Sequence, residues 1–396
     1  MTTTRKRLAL LFHANNPFFR DINAGVASYA RQHALQWDFV AEDLASCDLS
    51  TIAHWNVDGI VAECDYPHVV AALARSPASI VGVGSGNPGA RPAFPHPFAG
   101  SDNAALVKAA YTSLIDGAVA NFAMFSMPGA PHRLWALERE QAFAQLTRND
   151  FCDAAIYRGG DGGLHDWDGQ MAALIDWLAG LPKPVGVVAV CDARARLLLQ
   201  ACALTHLDVQ GDIVIVGIDN DPVTRMLSEY QMRSVMHASE GIGRSAGELM
   251  QRQLSRHPLG ERRVLLPPLG VHGAAAFAPA PRRHPQVMRA LHYIRQHASR
   301  GIKSDQVADY VGISRSWLEH HFKGELGHTV HEEILRFKLE QARRMLGGGA
   351  SNMTEVAVAC GFTSVQYLYT VFARELGCTP LAWRERHARE ELAQAA

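Results

Sequence analysis

The sequence predicts an alternating α/β body followed by a wholly helical C-terminal domain in which one helical pair occurs twice. Three observations carry this. Short apolar runs, each followed by a helical pattern, recur through the first 275 residues. No strand-like run is found from Gln286 to Ala396. Within that last region, residues 50 apart match. At 396 residues and 48% hydrophobic content the chain can bury large cores, and 19% charged residues with a net charge of −1 argue against disorder.

In the body, Leu8–Phe12 precedes a helical Ile22–Arg31, and Gly59–Ala62 precedes Val69–Leu73. Ile80–Val83, Phe122–Phe125, Val185–Val190 and Ile213–Ile218 continue the series. Runs of this length suit parallel strands covered on both faces, and their alternation with helices implies two parallel sheets with crossover helices. Ligands of such sheets bind beyond the carboxyl ends of the strands. Polar residues stand there: Asn15 and Asn16 with Phe18, Phe19, Arg20 and Asp21 after the first run, then Asp102, Asp192 and Asp219. Asp is also a favoured N-cap, and Asp102 and Asp192 are the best placed for that role, so capping and ligand binding both stand open. GVGSG at 82–86 lacks the spacing and lysine of a phosphate loop and reads as a strand end.

The series of strand, GVASYAR helix, VDGIV, IVGVG, SDN, RLWALEREQAF, VVAVCDARA and VIVGIDN resembles the LacI/GalR sugar-sensing family over roughly residues 6–275. The resemblance implies a two-lobed, periplasmic-binding-protein-like sensor that closes on a sugar. It assigns sugar contacts to Arg139, Asp192 and Asp219, and a less constant one to Asp102. The small residue after Arg139, Ala142 before Phe143, departs slightly from the family pattern. The chemistry agrees, because sugar hydroxyls donate to carboxylates and accept from a guanidinium fork. Trp135, Phe18 and Phe19 are candidates to cover the sugar ring or are plain core.

A sensor over 1–275 is followed by a proline-bearing linker, 276–285, and a helical domain, 286–396. VADYVGIS parallels VAVACGFTS, after which Ser314, Leu318, Phe322 and Thr329 match Ser364, Leu368, Phe372 and Thr379. Each copy has a short helix ending at Gly312 or Gly361, then a serine that caps a second helix. The helix-turn-helix units are placed at about 304–324 and 354–375 and joined by a helix over Val330–Leu346. HYIRQHA, LEQARRML and GFTSVQYLYTVFARELGCTPLAWRER resemble the AraC family of DNA-binding domains, with Trp383 standing for the usual Tyr. What this implies is a double-stranded DNA partner. The outward residues Arg315, Ser316, His320, Gln366, Tyr369 and Thr370 are the candidates for base contact, against the alternative of a solvated face.

A LacI-type sensor ahead of an AraC-type domain resembles the family of xylose-responsive activators. That order implies a sugar-controlled activator with D-xylose as effector, or alternatively another pentose or sugar, with RNA polymerase as a partner and a homodimer as the assembly. Residues 282–396 hold 16 Lys/Arg against 12 Asp/Glu, whereas the body holds 22 against 27, a split that fits a polyanion partner and equally ordinary scatter of charge. The seven cysteines show no CxxC pair, and the apolar LALLF is too short for a leader or span, so a cytoplasmic protein with reduced thiols is expected. No HExxH, Walker A or GxSxG pattern supports a metal, a cofactor or catalysis. A transport binding protein and a sugar kinase or hydrolase are the rival classes.

Overall fold

The computed structural model describes residues 5–86, 94–116, 119, 121–129, 133–149, 154–160, 163–205, 207–209, 212–227, 232–260, 262–273, 284–347 and 352–386. The chain divides into two compact units. The first comprises Met1–Leu114, Asn121–Leu146 and Ala154–Ala278, and the second is chiefly Pro279–Ala396. Most of the expected linker, residues 276–283, lies outside the described residues.

The first unit holds two six-stranded sheets with helices between the strands, the α/β class that the apolar runs imply. One sheet is built from β1 (Lys6–Phe12), β2 (Trp37–Asp43), β3 (Gly59–Glu63), β4 (Ser79–Gly84) and β5 (Phe98–Ser101), all parallel. The other is built from β6 (Asn121–Phe125), β7 (Ala155–Tyr157), β8 (Val185–Ala189), β9 (Ile213–Ile218) and β10 (Arg233–Met236). The two sheets have corresponding strand orders: β5-β4-β3-β1-β2 and β10-β9-β8-β6-β7. Their central strands β3, β8 and β9 are fully buried, which is why they are apolar but for Glu63 at the end of β3.

The lobes are not consecutive in sequence. The chain crosses from the first sheet to the second between β5 and α3 (Asn103–Asp116). It returns between β10 and α8 (Ser239–Leu254), so that β11 (Arg263–Leu266) adds in parallel to β5. It crosses a third time to β12 (Gly270–His272), the one antiparallel strand among the described residues, on β10. In the first lobe α8 packs on α1 (Pro17–Gln32) through Gly243 and Gly25, at each of which a Cβ would run into the backbone of the other helix. Three crossings place Asp102, His237 and Leu269 between the lobes, the position of a hinge.

The second unit is all helical: α9 (Pro285–His297), α10 (Ser304–Val311), α11 (Arg315–Leu326), α12 (Val330–Gly347), α13 (Met353–Ala359) and α14 (Val365–Leu376). Two cores lie side by side. Leu318 and Phe322 belong to one, and Leu368 and Phe372 to the other. Helix α12 serves both, giving Val330 and Ile334 to the first and Leu339, Ala342 and Leu346 to the second. Gly312 ends α10 at φ 78°, and Gly361 follows α13 at φ 73°, a left-handed region where a Cβ is strained. Ser314 and Ser364 accept from the amides of Trp317 and Tyr367, capping α11 and α14. Among the described residues no helix is long and apolar enough to cross a membrane.

Candidate ligand cleft and DNA-reading helices

A cleft of about 510 Å³ opens at the carboxyl ends of strands from both sheets. Its floor is built around Arg139, on the second turn of α4 (Leu134–Asn149) and only 1% exposed. Nε donates to Asn103 Oδ1 at 2.8 Å and Nη1 to the Val190 carbonyl at 2.6 Å. Nη2 lies 3.2 Å from His237 Nε2, and Nη1 lies 3.8 Å from Asp219 Oδ1. The Trp135 ring stacks under the guanidinium at 4.8 Å. Burial pulls the Arg139 pKa down, and the Asp219 charge opposes that shift.

Asp219 ends β9 and is strained, with φ 131°, followed by Asn220 at φ 54°. The Asp219 amide is tied to the Val235 carbonyl at 3.0 Å, the Asn220 amide to Ser234 Oγ at 2.8 Å, and the Asn220 side chain to Arg225 at 2.7 Å. These bonds hold a conformation that aims the carboxylate into the cleft, where it keeps 35% exposure. Arg139 and Asp219 are therefore brought together there.

Asp102 and Asp192 are placed elsewhere. The Asp102 carboxylate accepts from the Ala105 amide at 2.9 Å, the capping role, and does not line the cleft. Its neighbour Asn103 reaches Arg139 instead. Asp192 is fully buried behind the cleft wall. It accepts from Ser234 Oγ at 2.6 Å and the Asp221 amide at 2.8 Å, and so fixes the loop that carries Asp219. Gly217 gives it room, since a Cβ there would strike the Asp192 carboxylate. Burial first, and then the Asp219 charge, push the Asp192 pKa up to about 7.

Several cleft residues have no counterpart in the expectations drawn from sequence. Asp65 follows β3 as Asp192 follows β8, and both stand in a Cys-Asp pair. Asp65 is buried, accepts from the Ser85 and Gly86 amides at 3.0 and 2.9 Å, and is accommodated by Gly84. Burial, with the Glu63 charge second, raises its pKa to about 7. Glu63 pairs with His13 at 2.8 Å. Applied to VDGIVAECD, the strand-end rule finds Asp65. His237 follows a four-residue strand too short and polar to register as a run.

In the helical unit the opposite faces of α11 and α14 carry the expected residues. Arg315, Ser316, His320, Gln366 and Thr370 are exposed, and Tyr369 is half-buried. Arg315 pairs with Asp305 at 3.0 Å, both side chains well exposed, and Thr370 Oγ donates to the Gln366 carbonyl. His321 turns inward and stacks on Trp317 at 3.7 Å. His284, just before α9, closes on the same Trp317 ring at 4.5 Å, and its amide donates to Glu325.

Comparison with known proteins places these two architectures in one lineage. The XylR N-terminal domain family matches residues 7–104, a periplasmic binding protein-like domain 112–273 and a helix-turn-helix domain 307–386. The chain is 37% identical to the xylose operon regulatory protein of Escherichia coli K12 over 97% of its own length and 98% of that protein. The chain belongs to the family of xylose operon regulatory proteins. The Haemophilus influenzae member is 34% identical over 97% of this chain and 99% of its own. A solved structure described as a xylose-binding transcription activator aligns at a TM-score of 0.64, with 37% identity, over 97% of this chain and 99% of that one.

Members of this family are transcription regulators, and the combination of a two-sheet α/β body with a helix-turn-helix region is the architecture found here. For the cleft this leaves two kinds of carboxylate: one held open by backbone strain, and two buried as braces. The braces have a pH signature. A carboxyl whose folded pKa lies above its ordinary 3.8 contributes stability that is fully present below that value and is lost as pH rises through about 7. Thermal unfolding of the native chain and of Asp192→Asn, followed from about pH 5 to about pH 8, should therefore converge or cross, with the native chain losing ground as pH rises. Curves that stay parallel would show that Asp192 is not a buried, raised carboxyl.

Proposed function

We propose that the chain is a cytoplasmic, sugar-responsive transcription activator that binds D-xylose in the cleft and operator DNA through α11 and α14. The observation that carries the sugar reading is the pairing of buried Arg139 with half-exposed Asp219 on the cleft floor. Asp219 offers acceptor oxygens to sugar hydroxyls, and Arg139 offers N–H donors to ring and hydroxyl oxygens. Trp135 and Phe18, both lining the cleft, offer ring faces to the apolar side of a pyranose. The names of the relatives supply the choice of xylose among sugars. On this reading the protein is not an enzyme and needs no cofactor. It binds, changes state and signals.

The DNA reading rests on two serine-capped helices presented at equivalent positions of a duplicated unit. Helix α12 has 18 residues, a length of about 27 Å. That span suits two readers entering major-groove segments about one helical turn, roughly 34 Å, apart. Arg315, Ser316, His320, Gln366, Tyr369 and Thr370 are the base-contact set, with phosphate contacts around them. One chain makes few phosphate contacts, so a homodimer on paired half-sites and contact with RNA polymerase complete the proposal.

Two substitutions test its halves separately. Asp219→Ala strands ligand hydroxyls without an acceptor and should cost about 1–3 kcal/mol, a 5- to 150-fold loss of affinity in calorimetric titration with D-xylose. Affinity equal to that of the native chain would remove Asp219 from the site. Arg315→Ala should weaken operator binding at physiological salt while the melting temperature stays near the native one, because an exposed ion pair contributes about 0–1 kcal/mol. Unchanged operator affinity would move the reading face elsewhere.

A further inference from the structure

His237 sits where the chain crosses between the lobes and is bonded to both. Its side chain is 2% exposed. Nδ1 lies 2.8 Å from the hydroxyl of Ser101, the last residue of β5 in the first lobe. Nε2 lies 3.2 Å from Asp219 Oδ1 and 3.2 Å from Arg139 Nη2, both in the second lobe. The ring of Phe18 meets the imidazole edge at 4.8 Å. Burial, and after it the charge of Arg139, hold the imidazole in its neutral form against the pull of Asp219.

A neutral imidazole has one N–H and one lone pair. Nε2 therefore cannot donate to Asp219 and accept from Arg139 at the same time, although both lie at the same distance. Two arrangements satisfy the ring. In one, Nε2–H donates to Asp219 and Nδ1 accepts from the Ser101 hydroxyl. In the other, Nε2 accepts from Arg139 and Nδ1–H donates to the Ser101 oxygen. A serine hydroxyl serves either, since it both donates and accepts. The proton count is the same in both, one N–H on the ring, exchanged through solvent as the cleft opens.

We propose that His237 is a two-state positioning residue: it holds Asp219 with Nε2–H while the cleft is empty, and passes to the Nδ1–H form, accepting from Arg139, when a ligand hydroxyl takes Asp219. This rests on the reading of the cleft as a hydroxyl-binding site and adds how occupancy is registered. A hydroxyl that donates to Asp219 Oδ1 competes directly with the His237 N–H. Once displaced, the ring finds its acceptor role filled by the guanidinium, which is then oriented by Asn103, Val190 and His237 together. The opposite nitrogen reports the change to Ser101, so a polar contact in the second lobe alters a hydrogen bond in the first. No apolar residue at 237 could do this.

The test is ¹⁵N spectroscopy of the full chain labelled at histidine, in which protonated and unprotonated ring nitrogens give distinct signals. The chain has 19 histidines, and the His237→Gln protein identifies the signals of His237 by their loss. The free protein should show Nε2–H. D-xylose at saturation should exchange the two signals, and so should Asp219→Ala with no sugar present, because it removes the acceptor that holds the first form. The same tautomer in the free, sugar-bound and Asp219→Ala proteins, or an imidazolium in the free protein at neutral pH, overturns the proposal. Calorimetry on the same samples separates the two failures. Heat of binding without exchange of signals rejects the His237 switch alone. Absence of binding rejects the sugar reading, and the Asp219→Ala spectrum still decides the tautomer.

Discussion

The cleft depends on the burial of one positive charge. A guanidinium taken out of water costs several kcal/mol unless its donors are met. Arg139 meets this through Asn103 at the start of α3, Val190 at the end of β8 and the charge of Asp219 at the end of β9, with His237, at the crossing after β10, beside its Nη2. Each of these residues stands at or beside the end or start of an element, so one side chain gathers four elements at the cleft floor. The strain at Asp219 belongs to the same constraint, since only that backbone conformation sets its carboxylate opposite the guanidinium. The buried braces Asp65 and Asp192 then hold the loops of the two lobes in corresponding ways, each admitted by a glycine on the neighbouring strand.

The helical unit answers a similar demand differently. Lys338 on α12 is buried, and its ammonium donates to the Gly361 carbonyl at 2.7 Å, near the Phe362 ring. Burial lowers its pKa. Gly361 in turn packs against the backbone at Ser299, where no side chain fits. One cation thus ties the turn of the second helix-turn-helix to the helix shared by both cores. The positions that read as a repeat in sequence, Leu318 with Leu368 and Phe322 with Phe372, are those two cores.

How much of this is legible in sequence follows burial. The runs of the central strands are apolar because both faces are covered, and they match the observed strands within a residue or two. Trp37–Asp43 and Arg233–Met236 carry polar residues at an edge or a crossing and leave no such run. The interleaving of the lobes is invisible to a linear reading, because it depends on which strand β11 joins. Among the site residues, Arg139 and Asp219 are found together. Asp102 and Asp192 share with Asp219 the strand-end position, but a carboxylate at that position can turn toward its own helix or into the protein as readily as toward the cleft. The rule locates the end of the strand and not the direction of the side chain. His237 carries no pattern at all; its role exists only through three partners distant in sequence.

A sugar regulates DNA binding only if it favours one state of the protein over another. Hinged lobes around a cleft are the kind of architecture that has such states, and His284, just before α9, packs on Trp317 of α11. If the two sites are coupled, the coupling is reciprocal: operator DNA must tighten the sugar by the factor by which sugar tightens operator. The direct measurement is D-xylose affinity of the full chain with and without operator DNA. Tighter sugar binding is expected in the presence of operator, by about 5- to 150-fold for a typical coupling. Equal affinities in a protein shown to bind both would contradict it and leave two independent sites on one chain.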